Sequence, residues 1–259
     1  MEATKASPVQ LLVQQEKTAS GDREEIAGIT SRLDNLQVNE FLTFLPLLNE
    51  FFARQASNFK AGRLAAFLPT WGKITSDPEI LHMVSGQHIE FSSEPVHATQ
   101  PNKGVFSDKE RSVITSEINT LLEKAVIVKA HHEPGEFISP IFVRPNKDGS
   151  HRMLLNLKNL NKHVEYNHFK MDTLESAIRL MTPGCYMASI DLKEAYYSVP
   201  IAKDHQKYLK FEWGHTLYQF TCFPNGLGFC PRKFTKLLKP IYSVLRRQGH
   251  ISFPYIDDS

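Results

Sequence analysis

Two adjacent carboxylates, Asp257 and Asp258, lie in the segment SFPYIDDS (252–259). On a strand, neighbouring side chains point to opposite faces, and side by side two carboxylates repel each other. A tight turn would instead let both face one cation. A third carboxylate, Asp191, comes near the end of the apolar run CYMASIDL (185–192), where a charge is costly unless it is paired or bound to a metal. Alone, an aspartate at a strand end is a cap or a turn residue. Together with Asp257, it needs only two neighbouring strands to build an oxygen-rich site suited to Mg²⁺. Two such ions about 3.5 to 4 Å apart can activate an attacking hydroxyl and stabilise the leaving oxygen of an in-line phosphoryl displacement.

The charge pattern points the same way. The net charge is only +2, but residues 1–100 hold 8 basic against 12 acidic side chains, and residues 101–259 hold 22 against 16. No acid occurs between Glu212 and Asp257, whereas Arg232, Lys233, Lys236, Lys239, Arg246 and Arg247 all fall there. Most such runs are solvated helix faces. The sharper expectation is a track for a polyanion that leads to a metal site, since Lys and Arg neutralise phosphates.

The elements that would position these residues are legible in part. Residues 1–60 are expected to be helical or partly disordered, with Ile26, Ile29, Leu33 and Leu36 at helical spacing. Residues 61–104 read as a helical, turn-rich unit that closes on a strand and ends in the linker SSEPVHATQPNKG. Ser107 and Glu110 form a capping box that opens a helix with Ile114, Ile118, Leu121 and Leu122 on its buried face. SPIFVRP (139–145) and HRMLLNL (151–157) flank NKDG as a hairpin, and YLKFEW and TLYQFT flank Gly214 and His215 as another. From Pro231, the positions Phe234, Leu237, Leu238, Ile241 and Val244 predict a helix that Pro240 should kink or end. Strands and helices alternate without a regular βαβ rhythm, which makes the fold class α+β.

Four ordered segments resemble one family. SIDLKEAYYSVPI is similar to the first catalytic motif of reverse transcriptases, YIDD to the second, and SPIFVRPNKDGSHRMLLNLKNLN to the fingers hairpin that precedes both. FPNGLGFCPRKF resembles the template-gripping segment between them. HFKMDTL, PGCYMASIDL, PRKFTKLLKP and GHISFPYIDDS look most like the DIRS-like, tyrosine-recombinase-bearing retrotransposons. The resemblance implies right-hand polymerase fingers and a partial palm over residues 105–259, preceded by a mostly helical N-terminal region.

It also implies roles. Asp191 and Asp257 would hold two Mg²⁺ ions, with Mn²⁺ as the alternative, helped by the carbonyl of Leu192 and flanked by Asp258. Tyr196 would be the steric gate that excludes a 2′-hydroxyl, although such an aromatic is as often simply packed. Backbone amides of Lys193, Glu194 and Ala195 would cradle the triphosphate, and Lys147 and Arg152 would supply charge to it. Asn225 and Gly226 would lie at the nascent base pair and the template. The partners implied are an RNA or DNA template with primer, and dNTPs. Many relatives carry Gln or Phe at Asn225 and Asp at Asn156.

The segments that follow the paired aspartates in the family are absent after Ser259, and the resemblance reads this as a truncation. A catalytically inactive or co-opted fragment that holds nucleic acid is the alternative. A metal-dependent nuclease also wants grouped carboxylates but leaves NKDGSHR, AYYSVP and PNGLGFCPRKF without a role. The first residues fail as a signal peptide, and no apolar run is long enough to span a membrane. The three cysteines, Cys185, Cys222 and Cys230, make no CxxC. Packing in a reducing, intracellular compartment is the expectation, with nucleus and cytoplasm left open.

Overall fold

The computed structural model of the chain describes residues 59–96, 104–145, 151–169, 178–179, 192–249 and 251–252. The expected helices before residue 59, the strand through Asp191, the YIDD turn, the NKDG tip with Lys147, and Cys185 lie outside the described residues. The described parts of Lys60–Met171 and Lys193–Ser243 form one compact unit, and the other described residues belong to a second. Among the described residues, no helix is long and apolar enough to cross a membrane.

In the first unit, a 3-10 turn at Arg63–Phe67 leads into α1 (Leu68–Ile74) and α2 (Pro78–Gly86). Asp77 caps α2 by accepting from the Glu79 amide at 2.9 Å, with Pro78 in the first turn, where its missing N–H is harmless. Ile80, Met83 and Val84 form the buried stripe of α2. The chain after α2 is paired by isolated bridges, Gln87 to Ile201 and Phe91 to Val164, in place of the expected closing strand. The Gln87 amide donates to the Pro200 carbonyl at 2.9 Å, and the Glu165 amide to that of Glu90 at 2.7 Å. These contacts tie the described residues 61–96 to the elements after them.

The capping box of α3 (Asp108–Glu123) is present: Glu110 Oε2 accepts from the Ser107 amide at 2.9 Å, and the Ser107 hydroxyl accepts from the Glu110 amide at 3.4 Å. Ile114, Ile118 and Leu121 are buried; Leu122 is only half-buried. The helix ends in a Schellman arrangement. The Val126 amide reaches the Leu121 carbonyl at 2.9 Å, and the Ala125 amide that of Leu122 at 3.0 Å. Ala125 takes the left-handed conformation, φ 56°, which costs a non-glycine residue on the order of 1 kcal/mol. The turn delivers Lys124 to the edge of the candidate site and starts β1 (Ile127–Ala130).

β1 lines up with β5 (Thr216–Phe220), which pairs with β4 (Lys210–Trp213), so the sheet order is β1-β5-β4, antiparallel throughout. The β4–β5 turn has φ 54° at Gly214 and φ 60° at His215, the two positive values a type I′ hairpin requires. β2 (Ile141–Pro145) and β3 (His151–Leu155) form the other expected hairpin. Lys210 begins β4 fully buried, its ammonium donating to the His131 carbonyl at 2.7 Å and pairing with Glu133 at 2.7 Å and Glu136 at 2.9 Å. A buried ammonium is tolerated only with partners of this kind.

Helix α4 runs Cys230–Arg247 and continues past Pro240, so the proline does not end it. The proline deletes one helical hydrogen bond and crowds the preceding turn. Phe234, Leu237, Leu238 and Tyr242 are buried on either side of it, and that apolar row outweighs the local loss.

Candidate active site

The segment Lys193–Ser198 forms a tight reversal. Glu194 is left-handed, φ 57°, and a 3-10 turn covers Tyr196–Ser198. The Ser198 amide donates to the Ala195 carbonyl at 3.2 Å, and the Val199 amide to that of Tyr196 at 3.1 Å. The strained residue is pinned through its side chain, since the Glu194 carboxylate pairs with the Lys124 ammonium in a partly buried contact. Glu117 lies in the same neighbourhood. Burial pushes its carboxyl above the ordinary range, Lys124 pulls it down, and the Glu194 charge raises it further. Lys193 is exposed, and Leu192 and Ala195 are half-buried.

Tyr196 is half-buried, with its ring edge-on to that of Phe234 on α4 at 5.3 Å and 84°. Its neighbour Tyr197 is also half-buried. Burial pushes the Tyr197 phenol well above its ordinary range, and Asn225 draws it partly back. Asn225 and Gly226 are exposed at the tip of the loop between β5 and α4, with Gly226 at φ 93°. Burial also pushes the Cys222 and Cys230 thiols far up, so both are inert packing residues.

In the β2–β3 hairpin, Arg152 is exposed and lies directly across from Arg144. Like charges opposed on neighbouring strands are destabilising, and a bound polyanion would relieve the repulsion. Arg144 gives no such signal in the sequence, because it adjoins Pro145 in a run that reads as apolar.

The basic stripe requires a correction. Three of its six cations are engaged inside the protein. Lys233 is 2% exposed, with its ammonium 2.9 Å from Glu79 and 2.5 Å from Glu90. Arg232 pairs with Glu90, and Lys236 with Glu79. The acids come from α2 and the chain after it, far away in sequence, so an acid-free run did not mean unpaired cations. Lys239, Arg246 and Arg247 are exposed, and Arg246 donates to the Ser252 carbonyl at 3.0 Å.

Hydrogen bonds from Lys236 and Lys233 hold the Glu79 carboxyl down at about 2, against an ordinary 4.5. A depressed carboxyl contributes stability that is complete above its unfolded pKa and is lost as pH falls through the folded one. Discounted for the partial exposure of Glu79, Glu79→Gln is expected to cost about 1 to 2 kcal/mol at pH 7, narrowing towards pH 2. Denaturant midpoints across that range measure it, and a penalty constant with pH would discard the ion-pair account.

A second titratable group consists of His88, Asp204 and His205, whose ligand atoms lie within 4.8 Å of one another. His88 Nε2 is 3.3 Å from Asp204 Oδ2, and His205 Nε2 is 4.0 Å from it. The Ile89 amide donates to His205 Nδ1 at 2.9 Å, which leaves the proton on Nε2, the atom turned towards Asp204. A ligating imidazole has the reverse arrangement, donating from its second nitrogen. The group is a hydrogen-bonded cluster, and the metal expected from the sequence rests on Asp191, Asp257 and Asp258, outside the described residues.

Residues 144–259 match the sequence family described as "Reverse transcriptase (RNA-dependent DNA polymerase)". The Transposon Tf2-3 polyprotein of Schizosaccharomyces pombe (strain 972 / ATCC 24843) is 25% identical over 119 residues, 46% of this chain and 9% of that protein. The Tf2-7 polyprotein of the same organism is 24% identical over 112 residues, 43% of this chain and 8% of that protein. The chain thus spans less than a tenth of the length of these relatives. A foamy viral protease–reverse transcriptase solved in complex with dsDNA superposes with a TM-score of 0.54 at 25% identity, covering 66% of this chain and 35% of that one. Native Prototype Foamy Virus protease–reverse transcriptase gives a TM-score of 0.55 at 20% identity, covering 67% and 22%. The α+β fold is therefore of the reverse transcriptase fingers and palm type, and the segment that matches the reverse transcriptase family model lies within it.

Proposed function

We propose that this chain carries the fingers and the front of the palm of a reverse transcriptase from a DIRS-like retrotransposon, transferring a nucleotidyl unit from a dNTP to a primer 3′-hydroxyl. The observation that carries the reading is the family match over 144–259, which takes in Asp191, the Asn225–Gly226 loop and the Asp257–Asp258 pair in that order. The DIRS-like assignment rests on PGCYMASIDL, PRKFTKLLKP and GHISFPYIDDS.

In this reading, Asp191, Asp257 and the Leu192 carbonyl offer oxygen donors only, a set that fits Mg²⁺ or Mn²⁺. Bound there, the ions would supply charge stabilisation for in-line displacement. Arg144 and Arg152, opposed across the hairpin, and Lys147 would attract the triphosphate from the fingers side. The amides of Lys193 to Ala195 would face it from a turn held by Lys124 and Glu194. Primer and template would be met at the backbone by the exposed Lys239, Arg246 and Arg247. The setting is inside the cell, where dNTPs are available.

The test is extension of a DNA primer on an RNA template. Incorporation that requires the RNA strand and Mg²⁺ or Mn²⁺ is the expected result. Duplex binding without extension under either ion would favour a co-opted binding fragment, and strand cleavage in place of extension would favour a nuclease.

A further inference from the structure

Asn161 sits in a short 3-10 turn, Leu160–Lys162, anchored by the fully buried Leu160 and by its own amide, which donates to the Leu157 carbonyl at 2.8 Å. From this base its side chain reaches the loop between β5 and α4. Nδ2 donates to the Gly226 carbonyl at 2.9 Å, and Oδ1 accepts from the Gly228 amide at 2.9 Å. One primary amide thus satisfies a backbone acceptor and a backbone donor two residues apart, as a neighbouring strand would. Aspartate has the acceptor without the donor, and glutamine carries its amide one methylene too far.

We propose that Asn161 is a positioning residue that sets the backbone of Gly226–Gly228 so that the exposed tip, Asn225 and Gly226, presents a fixed surface to the template strand. With Asn161 in place, the left-handed Gly226 cannot swing its carbonyl outward. This role rests on the polymerase reading of the loop.

The experiment compares the unaltered chain with Asn161→Asp and Asn161→Ala. Binding is measured to two labelled probes, a DNA duplex with a single-stranded 5′ template extension and the same duplex with blunt ends, alongside thermal midpoints and hydrogen exchange at the Gly228 amide. The unaltered chain is expected to prefer the extended probe. Both variants should lose about fivefold to tenfold of affinity for it, the worth of one or two hydrogen bonds, with blunt-duplex affinity unchanged. The Gly228 amide should exchange freely in Asn161→Ala and stay protected in Asn161→Asp, which keeps the acceptor. A general unfolding would move the midpoints and both probes together, and that result overturns a positioning role. A preference for the extended probe that survives in both variants, with Gly228 exchanging freely in Asn161→Ala, also overturns it. An unaltered chain that binds the two probes equally overturns the polymerase reading of the loop and the proposal with it. Gly228 protection that is still lost in Asn161→Ala would then locate the failure in that reading and not in the anchor.

Discussion

Asp191→Asn is expected to lower nucleotide incorporation by at least about a thousandfold while leaving primer–template affinity within about twofold. The amide has the shape of the carboxylate and one of its oxygens, so packing is preserved, but it lacks the charge that holds a hard divalent cation. The site proposed here gathers Asp191, Asp257 and Asp258, and three carboxylates without a cation repel one another. Removing one should therefore leave the thermal midpoint unchanged or raise it in the absence of Mg²⁺. Lost activity with undiminished stability is a signature that a structural aspartate would not give. Equal losses of binding and incorporation would make Asp191 structural, and retained incorporation would remove the two-metal reading.

The parts of the fold that were legible are those whose signals are local. Ser107 and Glu110 specify their helix start within one turn, and Gly214–His215 specify a hairpin because only a narrow set of residues tolerates two positive φ values. The charge assignments failed for the opposite reason. Lys233 reads as a surface cation in a run without acids, yet it meets Glu79, 154 positions earlier, and Arg232 meets Glu90, 142 positions earlier. Pairing at such separation depends on Glu79 and Glu90 meeting the start of α4 across the chain, which no local pattern encodes. Pro240 was weighed by its local cost alone, whereas burial of Phe234, Leu237, Leu238 and Tyr242 decided the outcome. The candidate site divides the same way. Its motif residues are legible from their order along the chain, whereas Lys124, which carries no motif, and the anchoring contacts of Asn161, which lies inside one, emerge only when distant segments meet.

Tyr196→Val should reduce discrimination between deoxyribonucleotides and ribonucleotides by about a hundredfold, on the order of 3 kcal/mol, and weaken deoxynucleotide use less than that. The proposed gate works only if the ring cannot retreat, and the structure supplies a reason why it would not. Behind it stands Phe234, 3% exposed, in edge-on contact at 5.3 Å, and the backbone that carries Tyr196 is held in a 3-10 turn. Pushing a ring into a packed neighbour costs about 1 to 3 kcal/mol, comparable to the discrimination expected. Valine removes the wall and leaves Phe234 in place, so a 2′-hydroxyl gains room. Tyr196→Phe keeps the wall and should leave the ratio within about twofold. The measurement is the ratio of kcat/KM for the two sugars, which separates lost selectivity from a general loss of activity. If both values fall together in Tyr196→Val and the ratio stays put, the ring serves to pack against Phe234, and the sugar gate has to be sought elsewhere in the chain.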